Sequence, residues 1–222
     1  MKYQSPFEII GPIMVGPSSS HTAGAVRIGN IAHQLLTEEP VHVRFSLMGS
    51  FAETYEGHGT DLALLAGVLG LSTDDERIPT AKQLAQHHGL EYEFTRKKLG
   101  SYHPNTVLVE LKGNRKEVKI LASSVGGGKV EVQELDDYPL KFSAEIPTLV
   151  INHRDQQGFL ANLSFILNEH GYNIARLALE RFKKNGPAIT VCEIDNIVEP
   201  SLLPLLRNEI PLIEEIRKIQ TE

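Results

Sequence analysis

The sequence predicts an α+β fold in two domains, residues 1–146 and 147–222. Three observations carry this. The first part mixes one clear helical period with several period-2 runs. A charged, proline-punctuated stretch then covers Asp136 to Pro147. Beyond it the pattern restarts as strand-helix-strand-strand-helix-strand within about 75 residues, the ferredoxin-like β-α-β-β-α-β order.

The elements follow in order. From Ala25, Ile28, Ile31, Ala32, Leu35 and Leu36 recur three and four apart, with Arg27, Asn30 and Gln34 opposite, which predicts an amphipathic helix starting near Thr22 and stopping before Pro40. Val41, Val43, Phe45 and Leu47 alternate with His42, Arg44 and Ser46, the period of a half-buried strand. Gly49, Gly57 and Gly59 mark a loop. Thr60 then caps a second helix bearing Leu62, Leu65, Ala66 and Leu69, with Asp61 in its first turn to suit the dipole. A more polar helix runs from Thr80 to His88, and strands are expected at 91–95, 106–111, 117–123 and 129–135, the last two joined by Gly126-Gly127-Gly128. Asp136 to Pro147 is expected as a linker. In the second domain, 148–151 is a strand and Asp155 to Gly158 a turn. A helix with Leu160, Leu163, Ile166 and Leu167 on its apolar face closes at Gly171. Asn185-Gly186 turns a hairpin between strands at 174–182 and 188–194, followed by a helix at 200–208 and a strand at 213–219.

Composition narrows the function classes. The formal net charge is −6, shared as −4 and −2 between the two domains, and Trp is absent, so no basic surface for nucleic acid is expected. The longest apolar run, about ten residues from Leu62 to Leu71, is half a membrane span. Gly11, Pro12, Gly16 and Pro17 interrupt any leader-like stretch, so a cytoplasmic protein without membrane contact is expected. Cys192 is the single cysteine. It excludes an internal disulfide framework and a chain that holds its own iron–sulfur cluster through several thiolates.

Three segments could carry chemistry. In Gly16-Pro17-Ser18-Ser19-Ser20-His21-Thr22-Ala23-Gly24, hydroxyls and an imidazole sit where a turn feeds a helix. The helix start offers N–H groups and the positive dipole end to a carboxylate or phosphate, and the same residues also read as an over-provided N-cap. In Gly57-His58-Gly59-Thr60-Asp61, glycines on both sides leave His58 unshielded, as suits a general base, or as a mobile loop would have it. Tyr102-His103-Pro104-Asn105-Thr106 leads into a strand and reads equally as a turn. His33, His42, His87, His88 and His170 are expected to be structural or solvent-facing, His153 adjoins the Asp155 turn, and Cys192 reads as a small buried hydrophobe. No HxH or HxxxH spacing marks a metal site, and none is assigned.

Taken together, GPSSSHTAG, GSFAETYEGHGTD and YHPNT, in that order ahead of a C-terminal module, resemble the β chain of bacterial iron–sulfur L-serine dehydratases over essentially the whole length. Tyr55-Glu56 departs from that pattern, where a small-basic pair is expected before Gly57. The resemblance implies an N-terminal α/β domain of the allosteric-substrate-binding type followed by an ACT regulatory domain. It implies L-serine as substrate and a [4Fe–4S] cluster supplied by an α subunit, not ligated by this chain. By the same resemblance His58 is the base. Ser18, Ser19, Ser20, His21, Thr22, Gly57, Gly59, Thr60, Asp61, His103 and Asn105 bind substrate, and Asp155 and Gly158 line an effector site. Self-association is expected too. The chemistry agrees: water loss from serine needs a base and an electrophile, and one cysteine cannot build the electrophile. A second reading stands beside this one, a stand-alone amino-acid-sensing or assembly module without catalysis.

Overall fold

A computed structural model describes residues 12–98 and 100–220, so the interruption expected at Gly11 lies outside the described residues. The chain divides between Asp137 and Tyr138 into two units, each with its own sheet.

In the first unit a π-turn, Ser19–Ala23, leads into α1 (Gly24–Leu36), then β1 (His42–Met48), α2 (Gly49–Thr54) and α3 (Thr60–Val68). A short 3-10 turn, Ile78–Thr80, precedes α4 (Ala81–His87). Strands β2 (Glu91–Arg96), β3 (Thr106–Lys112), β4 (Glu117–Gly126) and β5 (Lys129–Leu135) complete the unit. The sheet order is β2-β1-β3-β4-β5; β2 runs parallel to β1 and every other pair is antiparallel. The helices between β1 and β2 form the crossover that a parallel pair requires. Phe45, Phe51, Ile28, Leu35, Leu64 and Leu65 are all fully buried in this unit.

The glycine-rich stretch after β1, expected as loop, is helical from Gly49 to Thr54. Only Gly49 needs a left-handed angle (φ 55), and its Cα packs so close to Pro104 that a Cβ would stand 2.5 Å from the Pro104 carbonyl oxygen. The residues after it are ordinary, and fully buried Phe51 anchors the turn.

The second unit runs β6 (Thr148–Arg154), α5 (Phe159–Glu169), β7 (Ile174–Arg181), β8 (Pro187–Ile194), α6 (Leu202–Glu209) and β9 (Ile213–Ile219). Its sheet is antiparallel throughout in the order β7-β8-β6-β9, and Asn185 takes a left-handed angle (φ 61) in the β7–β8 hairpin. Leu149, Ile151, Phe159, Leu163, Leu167, Cys192, Leu202 and Leu206 share its core. Two expectations change here. Leu160 is exposed, because Gly158 at φ 93 starts the helix so that Phe159, Leu163 and Leu167 line the inner face four apart. The expected linker is shorter than Asp136 to Pro147. The Tyr138 ring lies 4.2 Å from that of Phe182, and Ser143 donates through N and Oγ to Glu193 at 3.1 and 3.0 Å, so this stretch is fastened to the second unit. Among the described residues no helix is long and apolar enough to cross a membrane.

Candidate active site

The first two candidate segments end on neighbouring helix starts because α1 and α3 cross at glycine. A Cβ on Gly29 would stand 2.5 Å from the Leu64 carbonyl oxygen, and one on Gly67 would stand 2.9 Å from the Gly29 Cα. Backbone meets backbone there. Further along, Asn30 Nδ2 donates to the Leu71 carbonyl and His33 Nδ1 to that of Val68, both at 2.8 Å, so His33 is structural, as expected. The two N-termini thus come to one end of the unit. The third segment arrives at the same end through the sheet, since Met48, at the end of β1, pairs with Thr106, at the start of β3, and Thr106 pairs with Ser123 of β4.

At this end the His21 and His58 rings stand edge to face with centroids 4.8 Å apart. His21 is half-buried, flanked by Phe51 at 5.3 Å, and its Nε2 is 3.1 Å from Ser50 Oγ. Burial, and secondarily the charge that His58 carries when protonated, hold His21 below the ordinary imidazole value. His58 is exposed on its loop. That loop is fixed by backbone bonds from His58 N to the Thr54 carbonyl (3.1 Å) and from Thr60 N to that of Tyr55 (2.8 Å).

The other candidate residues divide. Ser18 is a true N-cap, its Oγ accepting from His21 N at 3.2 Å, and Ser19 and Ser20 follow in the π-turn, a form often found at functional sites. Thr22 Oγ1 and Thr60 Oγ1 are buried without a hydrogen-bond partner. Thr60 is not the cap of α3: Gly59, left-handed at φ 67, holds that place beside exposed Gly57, because only a residue without Cβ turns there cheaply. Asp61 is buried and paired with Lys82 Nζ at 2.6 Å, which raises the Lys82 pKa. His103 is exposed and its Nδ1 accepts from Asn105 N at 3.2 Å, while the Asn105 carbonyl accepts from Ser124 N at 2.9 Å. This segment meets the others through Pro104 against Gly49, next to Ser50. Lys82 and Ser124, whose buried Oγ is also unpartnered, were not marked by any sequence pattern, and Ser50 stands in the GSFAETYEGHGTD segment without being singled out.

At the second candidate site, the Asp155 carboxylate accepts from Arg181 and, at 3.0 Å, from Asn185 N, which together hold its pKa down and tie it to the β7–β8 hairpin. Gly158 caps α5 with open space around its Cα. His153 is a core residue. Its ring lies flat on Phe159 at 3.5 Å, Nδ1 donates to the Arg154 carbonyl, and Nε2 accepts from Thr190 Oγ1, both at 2.9 Å.

The donors of this chain do not fit an iron–sulfur cluster. Cys192 lies in the core of the second unit, where burial pushes its thiol up to about 12, and among the described residues no group of three His, Cys, Asp or Glu side chains gathers as a metal site.

Paired imidazoles with hydroxyls at two helix starts are groups able to exchange protons and to face an anion. Residues 5–135 match the family model described as serine dehydratase beta chain. The chain is 40% identical over 219 residues to a probable L-serine dehydratase, beta chain, of Bacillus subtilis (strain 168), covering 99% of both. It is 41% identical over 200 residues to the L-serine dehydratase, beta chain, of Peptoniphilus asaccharolyticus, covering 89% of this chain and 90% of that one. A D-3-phosphoglycerate dehydrogenase of Bacillus subtilis is 24% identical over 196 residues, 88% of this chain and 37% of its own length. The chain belongs to the serine dehydratase beta-chain family.

Proposed function

We propose that this chain is the β subunit of an L-serine dehydratase, contributing half of an active site that an α subunit completes. The observation that carries the reading is the juxtaposition of exposed His58 and half-buried His21, 4.8 Å apart at the meeting of two helix starts. Elimination from serine removes the α-proton and the β-hydroxyl. The aminoacrylate left behind tautomerises and hydrolyses to pyruvate and ammonia. In this proposal His58 takes the α-proton, an exposed imidazole being able to reach a substrate held on another chain. The helix starts carrying Thr22 and Thr60 receive the serine carboxylate, their orphaned hydroxyls being buried donors still in need of a partner. Ser18, Ser19, Ser20, Gly57, Gly59, His103 and Asn105 contribute to substrate binding around these helix starts, and Asp61 steadies the start of α3 through Lys82. A [4Fe–4S] cluster, which would supply the Lewis acid for hydroxide loss, would have to be held by the α subunit, since this chain has one cysteine.

The second unit serves as an ACT-type regulatory module. Its antiparallel β-α-β-β-α-β arrangement supports this. Gly158 opens the helix start beside an effector, and Asp155 shapes the neighbouring hairpin.

Anaerobic co-expression with the α subunit, followed by iron, sulfide and ammonia assays, tests the proposal. The complex should release ammonia from L-serine, and His58→Ala should remove at least about a thousandfold of turnover while the complex still assembles. Near-normal turnover in that variant removes His58 from its role. Tight L-serine binding by the β chain alone in calorimetry, with no ammonia from the complex, favours the sensing module instead.

A further inference from the structure

Ser50 opens the GSFAETYEGHGTD segment without being a candidate site residue, yet its side chain touches the His21 ring. Its position is built from two sides. Gly49 turns left-handed against Pro104, which brings Ser50 to the first turn of α2, and Thr54 Oγ1 donates to the Ser50 carbonyl at 2.8 Å. Phe51, the next residue, is fully buried and meets the His21 ring edge-on. The imidazole is therefore held at its Nε2 by Ser50 Oγ and on one side by Phe51, while the backbone N of His21 is held by Ser18 Oγ at 3.2 Å. With the ring so held, its distance from His58 is defined.

We infer that Ser50 is a positioning residue, fixing the His21 ring against His58 so that the two imidazoles act as a coupled pair. Its catalytic consequence rests on the functional reading above; the coupling itself does not. With His21 half-buried and held, exposed His58 is the member of the pair open to substrate and solvent. The charges around the pair are few. Asp61, three residues beyond His58, is paired with Lys82, and Glu56 of the same loop acts on Lys82 as well. The charge acting on His21 is that of His58.

Two measurements test this. In the full-length β chain, NMR titration follows the His21 imidazole. Replacing His58 with Gln removes a positive neighbour and should raise the His21 midpoint. In a Ser50→Ala background that rise should fall to less than about half, because the ring is no longer held in place, and Ser50→Thr should retain it. In the α–β complex, Ser50→Ala should lower kcat for L-serine about tenfold with KM unchanged to within about twofold, and Ser50→Thr should recover most of the loss. Equal rises of the His21 midpoint in the two backgrounds overturn the inference, as does a Ser50→Ala effect confined to KM or to thermal stability. An inactive wild-type complex strikes the functional reading, and the titration then decides the role of Ser50 by itself.

Discussion

Asp61 shows how a residue beside a site can serve the scaffold. Its carboxylate is 5% exposed and meets Lys82 Nζ at 2.6 Å, while the lysine stem reaches out of α4 and stays 48% exposed. Removing the cation strands a buried charge, which in fully buried pairs costs roughly 3–5 kcal/mol; a half-exposed partner reduces this. Lys82→Met should therefore destabilise the protein by about 1–3 kcal/mol in urea denaturation, and by much less when Asp61→Asn is already present. An equal loss in both backgrounds means that the pair contributes nothing. The neighbouring imidazoles were legible because His58 lies between two glycines and His21 follows three serines. Lys82 and Ser50 were not, since a lysine on a polar helix and a serine after a glycine look ordinary until the fold supplies their partners. Ser18 caps the first helix start, as the N-cap reading of the serine run has it, and Gly59 rather than Thr60 holds the cap of the second.

At the scale of elements, the closeness of the two helix starts depends on the α1–α3 crossing. Helix axes normally keep 8–10 Å apart, and a glycine facing a glycine permits less. Gly67→Ala places a methyl well inside contact distance of the Val26 carbonyl oxygen, so the helices must separate. Overpacking of this kind costs about 1–3 kcal/mol or more. Because the same movement pulls His58 from His21, the variant should lose L-serine turnover in the α–β complex out of proportion to its drop in Tm. A stable variant of full activity removes the crossing from the site's architecture. The helices themselves were readable from their periods, but the crossing was not: Gly29 and Gly67 interrupt no pattern, and only their mutual approach gives them meaning. The reverse error occurred at Gly49 to Thr54, where glycine content suggested a loop although a single left-handed residue suffices. The parallel placement of β2 beside β1 was likewise unreadable, since nothing local to a strand records its neighbour.

For the molecule as a whole, the division into an α/β part and a β-α-β-β-α-β part was legible because the hydrophobic period restarts after a charged, proline-rich stretch. The extent of the linker was not, because Tyr138 and Ser143 find their partners, Phe182 and Glu193, more than forty residues away in the chain. The second unit also buries an imidazole, that of His153, and this sets how its stability depends on pH. Burial holds His153 below its ordinary value of 6.5, outweighing the upward pull of its bond to the Arg154 carbonyl and of Asp155 and Glu214. Above pH 6.5 the imidazole is neutral whether folded or unfolded. As pH falls below that value the unfolded chain binds the proton first, so the folded state loses stability until the pH passes the depressed folded value. Cys192 offers a probe of the second unit, since its thiol is fully buried and pushed up to about 12, and reagents reach it only on unfolding. The urea midpoint for Cys192 labelling should therefore fall between pH 6.5 and pH 5. His153→Phe, which keeps the stack on Phe159 but cannot titrate, should be less stable at pH 8, where the Thr190 hydroxyl loses its partner, yet show a shallower decline towards acid. The same slope in both proteins would assign the acid sensitivity to other groups.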